Sequence, residues 1–188
     1  MAYTTNSTWL VLCNAALVRL NKQQMQSLDE GTTTANACNA ALPLAVSSVL
    51  AQNDWKSARK RVKIDPFAIG PDFGYSNRFR IPNDFIRIVS VENTDEWERE
   101  GAYILSNANA LQMIYIAYPE FPGQLDPLLQ EAIACALTAE LAMTLISDST
   151  IVSAWQSKAE LAIARAKLNE QAGEKDSYLE LNDLRGYI

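Results

Sequence analysis

Three cationic side chains alternate with other residues near the end of the first third of the sequence. Arg59, Arg61 and Lys63 are each separated by one residue, so in a β-strand they lie on one face, opposite Val62 and Ile64. Such a row can contact nucleic-acid phosphates, meet carboxylates of another protein, or face solvent. Because the chain as a whole is acidic, a solvated or protein-facing role is favoured over nucleic-acid binding.

Residue types that support catalysis or metal binding are scarce. The 188 residues contain no histidine, which removes Ser–His and Cys–His nucleophile pairs and the commonest metal ligand. No two of Cys13, Cys38 and Cys135 have the spacing of a zinc site, and none of the seven glycines falls in a phosphate-binding pattern. We therefore predict a protein that is not an enzyme and that uses no metal or cofactor. The cysteines are expected to be small buried residues in a reducing compartment.

The overall charge limits the possible partners. The formal net charge of −6 and the pI near 4.7 argue against a protein whose main task is to bind phosphates. The length of 188 residues suits a single domain with a sizeable core. We expect no signal peptide and no membrane-spanning segment, because the apolar run from Trp9 to Leu20 is interrupted by Asn14 and Arg19.

Four helices are predicted from apolar residues at spacings of three and four. The first covers about Trp9 to Leu20 and is capped by the Asn6–Thr8 segment. The second follows cap residues Thr32 to Thr34, contains Pro43, and ends before the buried anchor Trp55. Asp126–Pro127 opens the third. Asp148 and Ser149 cap the fourth, which is predicted to stop at Gly173.

The region between the second and third helices is predicted to be a β-sheet. The basic strand begins it at Ala58. An irregular loop, 65–77, then contains Pro, Gly and the aromatic residues Phe73 and Tyr75. Four further strands follow, and residues 106–109 join the last two tightly. The acidic segment 93–100 is interpreted as a solvated turn. The further strands span Arg78–Pro82, Asp84–Glu92, Gly101–Ser106 and Leu111–Tyr118.

Together these elements predict an α+β fold: a four-helix bundle with an inserted small antiparallel β-sheet and an extended C-terminal arm. Helices within 7–55 and 126–172 form the bundle of one domain, and 56–123 supplies the β insertion and loops. The arm, 173–188, is polar but carries too many apolar residues for a segment whose side chains contact only solvent. We expect it to contact another subunit. Its candidate interface residues are Tyr178, Leu181, Leu184, Tyr187 and Ile188.

Several stretches of the sequence, taken in order, carry a likeness to a known protein family. The first helix reads Leu12-Cys13-Asn14-Ala15-Ala16-Leu17 and is followed by a loop that ends Leu28-Asp29-Glu30-Gly31. An Ala- and Asn-rich helix then leads to Asp54-Trp55-Lys56-Ser57. Phe73-Gly74-Tyr75, the run Phe79 to Phe85, the hairpin strand Gly101 to Ile104, and the helix pair beginning near Asp126 extend the likeness over about 10–171.

In the order and spacing of these stretches, the chain resembles the head-to-tail adaptors of tailed bacteriophages, in particular the tail tubular protein A group. The resemblance implies a structural virion protein at the head–tail connector. Such a protein forms a ring, implied to be twelvefold, beneath the portal protein and carries the tail nozzle or tail tube protein. Genomic DNA passes through its channel during ejection without specific binding, and no membrane is involved. The implied place is the virion, after viral assembly in the bacterial host cytoplasm. The alternative is a helical regulatory or nucleic-acid-binding module that uses the Arg59, Arg61 and Lys63 face.

Overall fold

The computed structural model describes the backbone of residues 8–183 and the side chains of residues 8–171. Within this part of the chain, four helices and six strands form a mixed α+β structure, so the predicted α+β class is confirmed. The chain divides into two compact units. Among the described residues, unit 1 contains 8–57 and 120–183, and unit 2 is the uninterrupted stretch 58–119.

Unit 1 contains all four helices: α1 (Trp9–Arg19), α2 (Thr33–Leu50), α3 (Pro127–Leu145) and α4 (Ser149–Asp183). α3 packs against each of the other three helices. Its buried positions, which include Leu129, Ile133, Leu137 and Leu141, lie on several sides of the helix. A helix that is apolar around most of its circumference belongs at the centre of a helical unit.

The length and apolar character of α3 also meet the criteria for a membrane span, which the sequence analysis did not anticipate. Its mean hydropathy over the tested window is 1.4, but 56% of that window is buried inside the protein. A buried core helix can be equally long and apolar, so these two properties are weak support for a membrane segment.

The caps at the helix starts follow the predicted residues with one exception. The Thr32 hydroxyl accepts from the Ala35 amide at 3.2 Å, and the Asp126 carboxylate accepts from the Leu128 amide at 2.9 Å. Asp148 caps α4 through the Thr150 amide at 2.8 Å. Thr8 precedes α1 but makes no side-chain cap bond, so the predicted cap there is wrong at this residue.

Gly173 does not end α4. The helix continues without interruption to Asp183, so the prediction that a separate arm begins at 173 is wrong for the backbone. Glycine costs about 1 kcal/mol in a helix interior relative to alanine, and good helix formers on both sides outweigh a cost of this size. The side chains of Tyr178 and Leu181 lie outside the described part of the chain, as do residues Leu184, Tyr187 and Ile188 altogether.

Unit 2 consists of two three-stranded antiparallel sheets and not of the single sheet expected from the sequence. Sheet 1 has the order β1–β6–β3 and sheet 2 the order β2–β5–β4. The strands are β1 (Arg59–Ile64), β2 (Asn77–Arg80), β3 (Phe85–Val91), β4 (Trp97–Glu100), β5 (Tyr103–Ser106) and β6 (Leu111–Ala117).

The core of unit 2 lies between the two sheets. Leu111, Met113 and Tyr115 of β6 pack in one buried cluster with Phe79 and Ile104 from sheet 2. The short connection predicted between β5 and β6 is present, but the two strands belong to different sheets and not to the single sheet that was expected. The apolar side chains of both strands are buried by facing one another across the core, which lateral pairing would not achieve.

The acidic segment 93–100 is a turn only in its first half. Trp97–Glu100 forms β4, which pairs with β5, so the interpretation as a solvated turn is wrong for these four residues. The half-buried Trp97 side chain packs against the core cluster, while Glu98 and Glu100 point into solvent. Gly101, with φ of +56°, provides the left-handed backbone conformation in the turn to β5.

Candidate functional site

Both edge strands of sheet 1 carry cations, and four of these cations lie on one face of the sheet. In β1, Arg59, Arg61 and Lys63 are opposite Ile116, Ile114 and Gln112 of the central strand β6. On the other side of β6, Arg87 of β3 is also paired with Ile116. Directly paired residues in an antiparallel sheet share a face. We call Arg59, Arg61, Lys63 and Arg87 the basic face.

The exposure of the basic face is uneven. Arg61 and Lys63 are exposed, whereas Arg59 and Arg87 are half-buried and each has an interaction partner. Arg61 and Lys63 line a shallow groove of about 410 Å³ together with the carboxylate-bearing Glu92. Two exposed cations beside one carboxylate leave an excess of positive charge that favours an anionic partner.

The aromatic loop, residues 65–76, lines a second groove of unit 2 with a volume of about 740 Å³. The Arg78 guanidinium lies 4.8 Å from the Tyr103 ring centroid and 5.0 Å from that of Phe67. These distances are typical of cation–π contacts and fix the start of the loop against β2 and β5. Phe73, near the apex of the loop, is 89% exposed, and Tyr75 is half-buried.

Asp84 connects several segments of unit 2 at a position that the sequence analysis did not single out. Lys60 Nζ donates to one carboxylate oxygen at 2.6 Å, and the Tyr115 hydroxyl donates to the other at 3.0 Å. The Asp84 carbonyl accepts from the Tyr118 amide at 2.6 Å. Burial opposes ionisation of Asp84, but the bonds from Lys60 and Tyr115 outweigh it and lower its pKa. Burial and the Asp84 carboxylate raise the pKa of Tyr115 to about 12.

Unit 1 has a groove of about 480 Å³, which we call the helical groove, lined by residues of α1, α3 and α4. Its apolar part includes Leu128 and Leu161, which are 40% and 55% exposed. Its basic part includes Lys158 and Arg165, which form no ion pair with a carboxylate within the described part of the chain. Exposed leucines and cations without carboxylate partners therefore lie side by side in this groove.

The α1 side of the helical groove is held by an ion pair. Arg19 Nη2 donates to both carboxylate oxygens of Glu131, at 2.9 and 2.7 Å, and Nη1 lies 3.5 Å from Cys135 Sγ. The Arg19 guanidinium is 5.7 Å from the Trp155 ring centroid, and Lys158 Nζ is 4.2 Å from it. Trp155 therefore carries two cations against its ring system, which fixes their positions at the groove.

The three cysteines are free and buried, as predicted. Burial and the Glu131 carboxylate raise the pKa of Cys135, so its thiol stays protonated near neutral pH. The Cys13 thiol, with a hydrogen bond to Cys38 and deep burial, also has a raised pKa. The same hydrogen bond lowers the pKa of Cys38, although burial opposes this. Burial of all three thiols is typical of small packing residues.

The predicted interface residues fall into separate places. Arg59, Arg61 and Lys63 share the basic face, while Phe73 and Tyr75 line the groove beside the aromatic loop. Sequence reasoning missed Arg87, because a sequence does not show which strand pairs with β6. It also missed the helical groove. The available signal was Lys158, Leu161 and Arg165 at helical spacing, directly after Trp155.

No group of three or more Cys, Asp or Glu side chains is placed to hold a metal ion in the part of the chain that the structure describes. The sequence matches no family model, and it matches no curated protein sequence.

Proposed function

We propose that this chain is a structural subunit of the head-to-tail connector of a tailed bacteriophage. In this role it forms a ring beneath the portal protein, surrounds the DNA channel and provides the attachment platform for the tail nozzle or tail tube. The four helices of unit 1 would be its bundle, with α3 as the shared core helix. The ring is proposed to be twelvefold, and the place of action is the virion.

The observation that supports assembly into a ring is the presence of two different exposed apolar faces on unit 1, while the connector role follows from the sequence resemblance over about 10–171. Val11 and Val18 of α1 are each 54% exposed, and Leu161 and Leu168 of α4 are 55% and 65% exposed. Each pair is seven residues apart, which places its members on one face of a helix. A ring needs a heterologous interface, in which one surface of a subunit contacts a different surface of the next. Two unlike apolar faces meet this requirement.

The test is the mass and shape of the purified full-length protein, alone and mixed with the portal protein of its phage. Light scattering and negative-stain electron microscopy should reveal rings, at least when the portal is present. Replacing Val11→Glu and Val18→Glu should leave a folded chain that no longer assembles. The matched control, Gln24→Glu with Ser48→Glu, adds two carboxylates at exposed polar positions and should assemble normally. Monomers under both conditions for the wild-type protein would overturn the proposal.

A second candidate function, a nucleic-acid-binding module, is favoured by one specific observation. The basic face brings together cations from two strands, the exposed Arg61 and Lys63 of β1 beside two half-buried arginines. A phosphate-binding surface of this kind loses affinity steeply as salt rises, because binding releases counterions.

A further inference from the structure

The helical groove combines three features that are typical of a binding site for another protein segment. It exposes Leu128 and Leu161, it carries the unpaired cations Lys158 and Arg165, and its Arg19 side is held rigid by Glu131 and Trp155. Grooves between helices commonly accept an apolar helix, and the charges at the edge of the groove select the sign of its flanking residues. The chemistry of this groove therefore fits a helix that is acidic and partly apolar.

The chain itself contains such a helix at the end of α4. Residues 174–183 have four acidic residues and one lysine, with Tyr178, Leu179 and Leu181 among them. The backbone of this segment is helical as far as Asp183. Its negative charge is complementary to the excess of cations in the helical groove.

The same segment is unable to reach the groove of its own subunit. Trp155, Lys158, Leu161 and Arg165 are on α4, and 174–183 is the continuation of that same helix. At about 1.5 Å per residue, Glu174 lies about 14 Å beyond Arg165 along the axis and Asp183 about 27 Å beyond it. A continuous helix leads the segment away from its own groove, so the occupant has to come from another copy.

We infer that residues 174–183 of one subunit bind in the helical groove of the next subunit. The inference rests on the proposed ring, because an end-into-groove contact is heterologous and is repeated around the assembly. The carboxylates of the segment pair with Lys158 and Arg165, and its apolar residues cover Leu128 and Leu161. The contact explains how the C-terminal segment serves assembly although it is a helix and not an extended arm.

Charge reversal in two matched variants tests the contact. Lys158→Glu with Arg165→Glu places two carboxylates in the groove, and Glu174→Lys with Glu180→Lys places two lysines on the segment. Each variant alone should associate at least roughly tenfold more weakly than the wild-type protein, as for loss of paired interfacial charges. An equimolar mixture should assemble again, because each altered groove then meets an altered segment of opposite charge.

Controls separate this inference from the proposed function. Lys22→Glu with Arg80→Glu reverses two exposed cations elsewhere and should leave assembly unchanged. Circular dichroism of every variant should match that of the wild-type protein. If the wild-type protein never assembles, with or without portal, the proposed ring fails and this inference fails with it. If the wild-type protein assembles and neither variant weakens it, the ring stands and the groove contact is refuted.

Cross-linking identifies the occupant directly. A Leu161→Cys protein mixed with a Leu181→Cys protein should give a cross-linked heterodimer with a short bis-maleimide. Leu161→Cys mixed with wild-type protein should give none, because the three native cysteines are buried. A chain truncated after residue 173 that still assembles, and whose assembly still depends on Lys158 and Arg165, would show that another segment fills the groove and would overturn the assignment.

Discussion

At the residue scale, Lys60 shows how a charged side chain is accommodated at the edge of a core. Its position in β1 pairs it with Tyr115, which faces the buried cluster of unit 2. The ammonium group reaches Asp84 at 2.6 Å, so its charge is neutralised there. Because the Lys60 side chain is 53% exposed, water also solvates its charge, and the ion pair mainly anchors the ammonium group at the edge of the core.

Replacing Asp84→Asn should lower the free energy of unfolding by about 1–2 kcal/mol at neutral pH, because both the ion pair and the phenol bond weaken. Chemical denaturation measures the change. The pKa of Asp84 is lowered in the folded protein, so its stabilisation is present above its unfolded pKa and is lost as the pH falls through the folded value. The difference between variant and wild type should therefore shrink in acid. Glu98→Gln, at an exposed carboxylate, should change stability by less than about 0.5 kcal/mol.

The raised pKa of Tyr115 predicts that the protein becomes less stable at alkaline pH. Its pKa of about 12 in the folded protein lies above the ordinary value of 10.0, so between these pH values the unfolded chain ionises and the folded chain does not. Stability should fall over this interval by at most about 2–3 kcal/mol. Denaturation curves measured across the interval, with phenolate absorbance recorded in parallel, should reveal the fall. Tyr115→Phe should abolish this part of the pH dependence, and an unchanged dependence would argue against the assignment.

At the element scale, local patterns identified most helices and strands, but they did not identify how the strands pair. The alternation from Arg59 to Ile64 is a local property and predicted β1. Whether β5 pairs with β6 or faces it depends on which apolar surfaces meet across the core, and this is a nonlocal choice. The strand β4 was missed because its residues Glu98, Arg99 and Glu100 have the composition of a turn.

The two threonines before α1 and α2 offer a matched comparison of capping. Thr32→Ala should destabilise the protein by about 0.5–2 kcal/mol, because the Ala35 amide loses its acceptor. Thr8→Ala should have little effect, because Thr8 makes no cap bond to α1. Thermal or chemical unfolding of both variants gives the comparison. Equal losses at the two positions would contradict the capping assignment.

At the scale of the whole molecule, the negative net charge opposes nucleic-acid binding even though the basic face attracts phosphate. We expect the purified protein not to bind duplex DNA appreciably at physiological salt, because repulsion from a chain of net charge −6 acts on any phosphate that approaches. Filter binding at several salt concentrations measures this. Submicromolar, salt-sensitive binding that is lost in the Arg61→Glu, Lys63→Glu double variant would favour the nucleic-acid-binding module over the proposed connector subunit.

Surfaces were harder to predict than elements. The sequence identified three members of the basic face, because they alternate within one strand, but not Arg87, which a different strand brings to the same face. The helical groove was not predicted, because it depends on α1, α3 and α4 together, and more than 100 residues of chain separate α1 from α3. A sequence shows the members of a single element, and packing decides which elements form a common surface.

The position of unit 2 within the sequence of unit 1 affects the order in which the protein can fold during translation. α1 and α2 leave the ribosome first, but α3, against which both of them pack, is made only after the whole of 58–119. At a translation rate of roughly 5–20 residues per second, α3 is completed several seconds after α1 and α2. During this time the apolar surfaces of α1 and α2 lack the helix against which they pack. Unit 2 is contiguous and can complete its own core during that delay. The nascent chain therefore passes through a stage in which α1 and α2 have been made but α3 has not. A chaperone that binds exposed apolar helices would act at this stage.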